Sequence, residues 1–262
     1  MRKFKGLFNN KQQWLLLFGQ APLIAFLISM VVNDSLFYSY EDTKSILFGF
    51  STAAMWIGLM NSILEICKER VILDKEYMAD LRVSAYLSSK IIYLILIGFI
   101  QAVLLVVTFM LFVDVPQMGL VADWYIEMIL IVFITILVSS ALGLVVSVIS
   151  KDSSTALTMP VILLIPQLIF AGILFPLEGI VKTISNFMIS RWSVEALGTV
   201  NDLNSLVSLV QEAIPGYVRE IENYYTFTVE HLTYDLAIIG LMTVIFFGTS
   251  YYLLKHQLEG GK

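Results

Sequence analysis

Charged residues are scarce in this chain. Of its 262 residues, 14% are charged and 58% are hydrophobic, whereas an ordinary soluble domain has about 25% charged residues. The single cysteine, Cys67, excludes an internal disulfide framework. The net charge is -5, and the basic residues lie in short segments beside apolar runs rather than in a long stripe, which excludes a typical nucleic-acid-binding protein. These shortages indicate an integral membrane protein.

Catalytic and metal-binding side chains are also few. The two histidines, His231 and His256, lie in a polar segment and in the C-terminal tail, so we predict neither an intramembrane catalytic site nor a metal site. The sequence contains no Gly-x-x-x-x-Gly-Lys-Ser/Thr motif for nucleotide phosphates. No Asp or Glu lies centrally in an apolar run, which argues against coupling to protons or sodium through an intramembrane carboxylate. We therefore expect no cofactor in this chain and an external energy source.

Long apolar runs are what the chain does have. We predict an all-α polytopic membrane protein in which residues 1–262 form one transmembrane domain, since a spanning helix needs about 17–25 apolar residues. Twelve of the sixteen Lys and Arg residues fall on the side that holds both termini and four on the other, so we predict cytoplasmic termini in the cell membrane. The six predicted spans are residues 15–32, 46–64, 91–113, 128–149, 156–177 and 236–254.

The segment 65–90 interrupts these runs with about ten charges, which are too costly to place in hydrocarbon. Its apolar residues recur at helical spacing, which predicts an amphipathic helix on the cytoplasmic side. Charge alone leaves two interpretations open, a solvated loop and a docking element for a soluble partner. The alternation of sign along the segment suits a protein partner better than an anionic membrane surface.

Two spans carry features of a translocation path. The second span holds small and hydroxyl residues, which are typical of helices that pack closely or line a polar route. The fifth contains two prolines, which predict irregular backbone, and at membrane depth such backbone is buried in protein or lines a cavity. The fourth ends in small residues, Ser139, Ser140, Gly143 and Ser147, which predict tight helix packing. The residues that we assign to the path are Ser51, Thr52, Asn61, Pro166, Gln167 and Phe170.

The long segment 178–234 is predicted to be an ordered outer cap rather than a linker. Its first part is amphipathic and its second part has a helical pattern that begins at an Asn201 N-cap.

Several short motifs, in order along the chain, resemble ABC transporter permeases of the type-2 class, in the ABCG-like subgroup. The resemblance implies two halves of six helices each, with ATP-binding subunits docked under the first cytoplasmic loop. It also implies a coupling helix near residues 74–81 and an outer cap at 178–234. Its motifs are Gln20-Ala21-Pro22, Asn61-Ser62, Lys68-Glu69-Arg70, Lys75-Glu76, Leu81-Arg82, Ile165-Pro166-Gln167, Phe175-Pro176-Leu177 and Arg191-Trp192.

By this resemblance, a set of charged residues in the segment 65–90 belongs to the junction with the ATPase. ATP and Mg would bind on that separate partner, and this chain would be a transport subunit without its own ATPase domain. The assigned coupling residues are Glu65, Glu69, Arg70, Asp74, Lys75, Glu76 and Arg82.

We therefore predict the permease subunit of an ATP-driven exporter that moves an amphipathic or hydrophobic substrate, such as a lipid, peptide or drug-like molecule, by alternating access. Its expected partners are an ABC ATPase subunit, a second permease copy and membrane lipid, with no nucleic acid. Two alternatives remain, a non-transporting membrane scaffold or sensor subunit and an intramembrane enzyme. Recovery of an ATPase with the purified chain separates the transporter from both.

Overall fold

The computed structural model describes residues 11–33, 36–78, 81–173, 175, 177–213 and 223–260, and in that part of the chain there are helices and no strand. Short 3₁₀ helices at Cys67–Glu69 and Asn223–Tyr225 join longer elements. The helices are α1 (Lys11–Val31), α2 (Tyr40–Ser62), α3 (Arg70–Met78), α4 (Val83–Met110), α5 (Trp124–Ile149), α6 (Ser153–Ile169), α7 (Gly179–Ser185), α8 (Ile189–Val200), α9 (Leu203–Ala213) and α10 (Val229–Gly260).

The all-α prediction is confirmed for the described residues, and each predicted span overlaps a helix. Four of these, α2, α4, α5 and α10, are long and apolar enough to cross a membrane. The apolar part of α1, Leu17–Val31, and the whole of α6 are shorter. With 17 residues, α6 is about 26 Å long at 1.5 Å per residue, slightly less than the roughly 30 Å of a hydrocarbon core.

Several helix boundaries differ from the predicted ones: α2 begins at Tyr40 and α10 at Val229, each several residues early. Helix α4 begins at Val83, well before the predicted start of the third span at residue 91, and Lys90 inside this extension is buried and paired. Helix α6 ends at Ile169 instead of residue 177, and Gly172 follows with a φ of 82°, a conformation that suits glycine. The predicted irregularity of α6 is not observed, because its helix continues through both Pro160 and Pro166. A proline removes one backbone N–H donor and crowds only the preceding helical turn, so the rest of the helix can continue past it.

The start of α6 is fixed by Asp152. This residue is the N-cap, and its Oδ1 and Oδ2 accept hydrogen bonds from the Thr155 N–H at 2.8 Å and from the Thr155 hydroxyl at 2.9 Å. These hydrogen bonds, the one from the backbone N–H first, lower the pKa of Asp152 because they stabilise the ionised carboxylate. The cap therefore ends the loop after α5 and fixes the residue at which α6 begins.

Helices α2 and α5 form the centre of the fold and pack against each other along their length. A Cβ on Gly58 of α2 would fall on the Ile136 carbonyl oxygen, and one on Gly143 of α5 would fall on the Ser62 hydroxyl. The Ser140 hydroxyl donates across the interface to the Gly58 carbonyl oxygen at 3.1 Å. The predicted tight packing of the fourth span is confirmed, because glycine lets the two backbones approach closely.

Helix α8 is buried along its whole length and packs against α2, α5 and α10. Asn201 ends this helix rather than starting the next one: its side-chain amide donates to the Leu197 carbonyl oxygen at 2.7 Å, and its Oδ1 accepts from the Trp124 indole at 2.8 Å. The predicted N-cap at Asn201 is thus wrong, because a carbonyl at the end of α8 takes its amide instead. Of the predicted outer cap, residues 214–222 lie outside the described part.

Candidate functional site

The helix α3 is attached to the membrane helices through the turn that precedes it. The 3₁₀ helix Cys67–Glu69 connects α2 to α3, and the N–H groups at the start of any helix lack partners inside it. The Ser147 hydroxyl oxygen of α5 accepts hydrogen bonds from the N–H groups of Ile66 and Cys67, both at 3.0 Å. Helix α5 therefore fixes the place where α3 begins.

Lys90 of α4 forms the centre of a buried ion cluster at the same end of the molecule. Its side chain is 2% exposed, and its Nζ lies 3.2 Å from Glu65 Oε2 and 2.5 Å from Glu69 Oε2. Lys90 also donates to the Glu65 carbonyl oxygen at 3.1 Å, and the Tyr86 hydroxyl donates to Glu69 Oε2 at 2.9 Å. A buried ammonium needs such acceptors, so the cluster holds the turn before α3 against α4.

Arg70, the first residue of α3, connects that helix to two others. One guanidinium nitrogen donates to the Val148 carbonyl oxygen of α5 and to Gln257 Oε1 of α10, the latter at 3.1 Å. The Gln257 amide donates to the same Val148 oxygen at 3.2 Å. A guanidinium is charged at every physiological pH and donates in several directions at once. The position of α3 is therefore fixed relative to α5 and α10 as well as to α4.

The other face of α3 is exposed. Leu73 is 2% exposed and lies in the apolar cluster formed with α4, α5 and α10, whereas Val71 and Ile72 before it are exposed. The side chain of Asp74 lies outside the described part. A surface that mixes apolar and charged groups is typical of protein–protein contacts. The exposed side chains of α3 are Val71, Ile72, Lys75, Glu76 and Met78.

A second polar group lies deeper between the helices. Asn61 of α2 donates to Gln101 Oε1 of α4 at 2.5 Å, and the Gln101 amide donates to the Leu17 carbonyl oxygen of α1 at 2.8 Å. Gln20 donates to Asn61 Oδ1 at 3.4 Å. Asn61 and Gln101 are 9% and 0% exposed. Within this one chain, the amide of Asn61 therefore serves to join α1, α2 and α4.

Gln167 of α6 has a partner inside the chain as well. Its Oε1 accepts from the Ser190 N–H at 3.0 Å, and the Ser190 hydroxyl donates to the Gln167 carbonyl oxygen. The side chain thereby caps the start of α8, whose own N-cap residue, Met188, makes no side-chain hydrogen bond. The amide that we predicted to face a translocation path thus also orients the buried helix α8.

The remaining path residues occupy different environments. Ser51 is 1% exposed, and its hydroxyl makes no hydrogen bond to the described residues. Thr52, Pro166 and Phe170 are partly exposed. The six predicted path residues therefore differ in burial and in hydrogen bonding within this chain, and their assignment to a translocation path stays a prediction.

The predicted coupling residues separate into an inner and an outer set. Glu65, Glu69 and Arg70 bind other parts of the chain, whereas Lys75, Glu76 and Arg82 are exposed. The sequence reasoning missed Lys90, which it counted only as a charge at the edge of a loop. The available signal was its place directly before an apolar run, and its separation of 25 residues from Glu65 gave no local sign of the pairing.

Comparison with known proteins identifies the family of this chain. The model of the ABC-2 type transporter family matches residues 1–200. The ABC transporter ATP-binding/permease protein Rv1747 of Mycobacterium tuberculosis is 26% identical over 212 residues, which are 79% of this chain and 24% of that relative. The chain thus spans about a quarter of the relative's length. Together with the apolar helices, the match over more than half of its residues shows that this chain belongs to the ABC-2 type transporter family.

Proposed function

We propose that this chain is the membrane permease of an ATP-driven exporter and that α3 is the coupling helix through which an ABC ATPase moves the membrane helices. One observation carries the proposal: the same nine-residue helix has an exposed face of mixed character and a buried attachment to three other helices. A displacement of the exposed face is transmitted to α4 through the Lys90 cluster and to α5 and α10 through Arg70.

The proposed partner is a separate ABC ATPase subunit that binds ATP and Mg. The 262 residues contain no P-loop motif, and members of this family are membrane components of transporters. The relative Rv1747, as its name says, contains ATP-binding and permease parts in one protein. We propose a separate ATPase subunit for this chain, and an ATPase part in the same protein, as in Rv1747, is the alternative.

The proposed transporter contains two permease copies, each with six membrane crossings, cytoplasmic termini and residues 178–234 as an outer cap. Helix α6 supports a second copy, because its buried residues form one narrow stripe and most of its other side chains are exposed. With a partner copy there, alternating access would open a path between α2 and α6 of the two halves. The apolar outer faces favour an amphipathic or hydrophobic substrate. The buried stripe of α6 is Ala156, Pro160, Leu164 and Gln167.

The test is recovery of an ABC ATPase with the tagged chain from native membranes, followed by vanadate-sensitive ATP hydrolysis in lipid. We expect Ile72→Asp and Glu76→Ala, which change the exposed face, to lower recovery of the ATPase by at least several-fold. Arg70→Ala removes the attachment instead of the face, so we expect the ATPase to stay bound while hydrolysis no longer drives transport.

The matched control is Glu259→Ala, which removes an exposed charge from the Lys255–Glu259 pair. This pair lies near the C-terminal end of α10, the end that contacts α3, and its loss should leave recovery of the ATPase unchanged. If the unaltered chain recovers no ABC ATPase, or if both face variants retain full recovery and transport, α3 is not the coupling helix. Recovery of an ATPase without transport of any substrate would instead favour the scaffold or sensor alternative.

A further inference from the structure

We propose that Glu195, His231 and Asp235 form a binding site for a divalent transition-metal cation such as Zn²⁺, near the N-terminal end of α10. The three side chains offer ligand atoms that all lie within 4.8 Å of one another. This inference goes beyond the transport function proposed above and does not depend on it.

The geometry of the ligand atoms fits a metal centre. His231 Nε2 lies 3.3 Å from Glu195 Oε1 and 3.8 Å from Asp235 Oδ2. Ligands at 2.0–2.2 Å from a tetrahedral Zn²⁺ are about 3.4 Å apart, so small side-chain movements are enough to enclose an ion. The Tyr224 carbonyl oxygen lies 3.0 Å from the same nitrogen and provides a fourth donor or a partner for a bound water.

Asp235 supplies an independent observation that points to a bound cation. Its side chain is 0% exposed, and neither of its carboxylate oxygens has a hydrogen-bond partner among the described residues. An ionised carboxylate in such surroundings is strongly destabilising unless a positive charge or several donors compensate it. A cation between Asp235 and His231 compensates this charge directly.

The charges and contacts around the site support a metal. Arg191 Nε contacts Glu195 Oε2 at 3.3 Å, which leaves Oε1 directed at His231. Ligating carboxylates commonly have such a supporting hydrogen bond on their second oxygen. Glu195 and Asp235 are 5% and 0% exposed, so solvent does little to stabilise either carboxylate. A cation bound between them would allow both to be ionised together.

An entry path is present on the surface. His231 is 20% exposed at its side chain and lines a cavity of about 310 Å³. Because Glu195 belongs to α8 and the other two ligands belong to α10, a bound ion would tie these helices together. The other lining residues of the cavity are Thr226, Thr228, Glu230 and Tyr234.

The experiment is equilibrium dialysis of the purified, chelator-stripped full chain in detergent against ZnCl₂, with MgCl₂ as the comparison ion. We expect one saturable Zn²⁺ per chain and a higher thermal midpoint with Zn²⁺, but no such response to Mg²⁺, which prefers all-oxygen octahedral sites. His231→Gln and Asp235→Asn should each weaken Zn²⁺ binding by more than about tenfold. His256→Gln is the matched control, because it removes the other histidine of the chain, and it should bind like the parent.

The Asp235→Asn variant adds a measurement of heat stability, which should not fall although Zn²⁺ binding does. Without metal, this variant should be at least as heat-stable as the parent, because the buried amide, unlike a carboxyl group, cannot take on a charge, yet its stability should not respond to Zn²⁺. The proposal is overturned if the parent shows no saturable Zn²⁺ binding, or if His231→Gln binds Zn²⁺ as the parent does. If Asp235→Asn does not fold, His231→Gln and Glu195→Gln decide the question by the same dialysis.

Discussion

Lys90 and Lys68 show the difference between a buried charge and a surface charge in this protein. Lys68 contacts the same acidic residue, Glu65, at 3.9 Å, but its side chain is 43% exposed, whereas the side chain of Lys90 is 2% exposed. Exposed ion pairs contribute little to stability because water and salt screen them. Loss of one partner from a buried pair leaves a charge without compensation.

We therefore expect Lys90→Met to lower the free energy of unfolding by roughly 3–5 kcal/mol, and Lys68→Met to lower it by at most about 1 kcal/mol. The measurement is unfolding of the purified chain in mixed micelles. Replacing Glu65 and Glu69 by Gln in the Lys90→Met background should restore part of the lost stability, since no buried charge is then left alone. Equal effects of the two lysine variants would contradict the role of Lys90.

At the scale of elements, contact between α2 and α5 depends on glycine. Gly143 lies against Ser62 and the Leu59 carbonyl oxygen, so an added methyl group has no space there. Gly240 of α10 has nothing within 4 Å of the position that a Cβ would take. The two glycines therefore form a matched pair for testing whether this packing determines stability.

Gly143→Ala should destabilise the protein by about 1–3 kcal/mol, because the helices must separate to admit the methyl group. Gly240→Ala should be neutral or slightly stabilising, since alanine favours a helix by up to about 1 kcal/mol over glycine. Thermal unfolding of the two variants in one detergent measures the difference. A Gly143→Ala protein as stable as the parent would show that the α2–α5 interface adapts.

For the molecule as a whole, the orientation in the membrane is the prediction most open to direct measurement. Cys67 is the only cysteine and is 7% exposed, so a Cys67→Ala background allows single cysteines to be introduced. Ser153 and Glu178 are exposed and lie at opposite ends of α6 and the turn that follows it. In the proposed topology, these two positions lie on opposite sides of the membrane.

In intact cells, an impermeant maleimide should label Glu178→Cys and should label Ser153→Cys only after the membrane is permeabilised. The physical reason is the excess of Lys and Arg on the side that holds the termini. Thermal stability like that of the parent is the control for folding of each variant. The reverse labelling pattern would invert the proposed topology and place α3 outside.

The sequence by itself determined the class of the protein and the approximate place of its apolar helices, whereas the six membrane crossings stay a prediction. These follow from composition and from the length of apolar runs, which are local properties. The small residues of α5 likewise predicted close packing. Local periodicity also predicted an amphipathic helix within the segment 65–90. The family resemblance placed a helix near residues 74–81, and the structure has α3 at Arg70–Met78.

Only the tertiary structure decided which polar residues have partners inside the chain. Lys90 and Glu65 are 25 residues apart, Gln167 and Ser190 are 23 apart, and Glu195 meets His231 only when α8 packs on α10. A side chain's environment depends on which helices are neighbours, and periodicity gives only the face on which a residue lies. That is why a lysine predicted to be in a loop is buried, and why a histidine predicted to bind no metal lies beside two carboxylates.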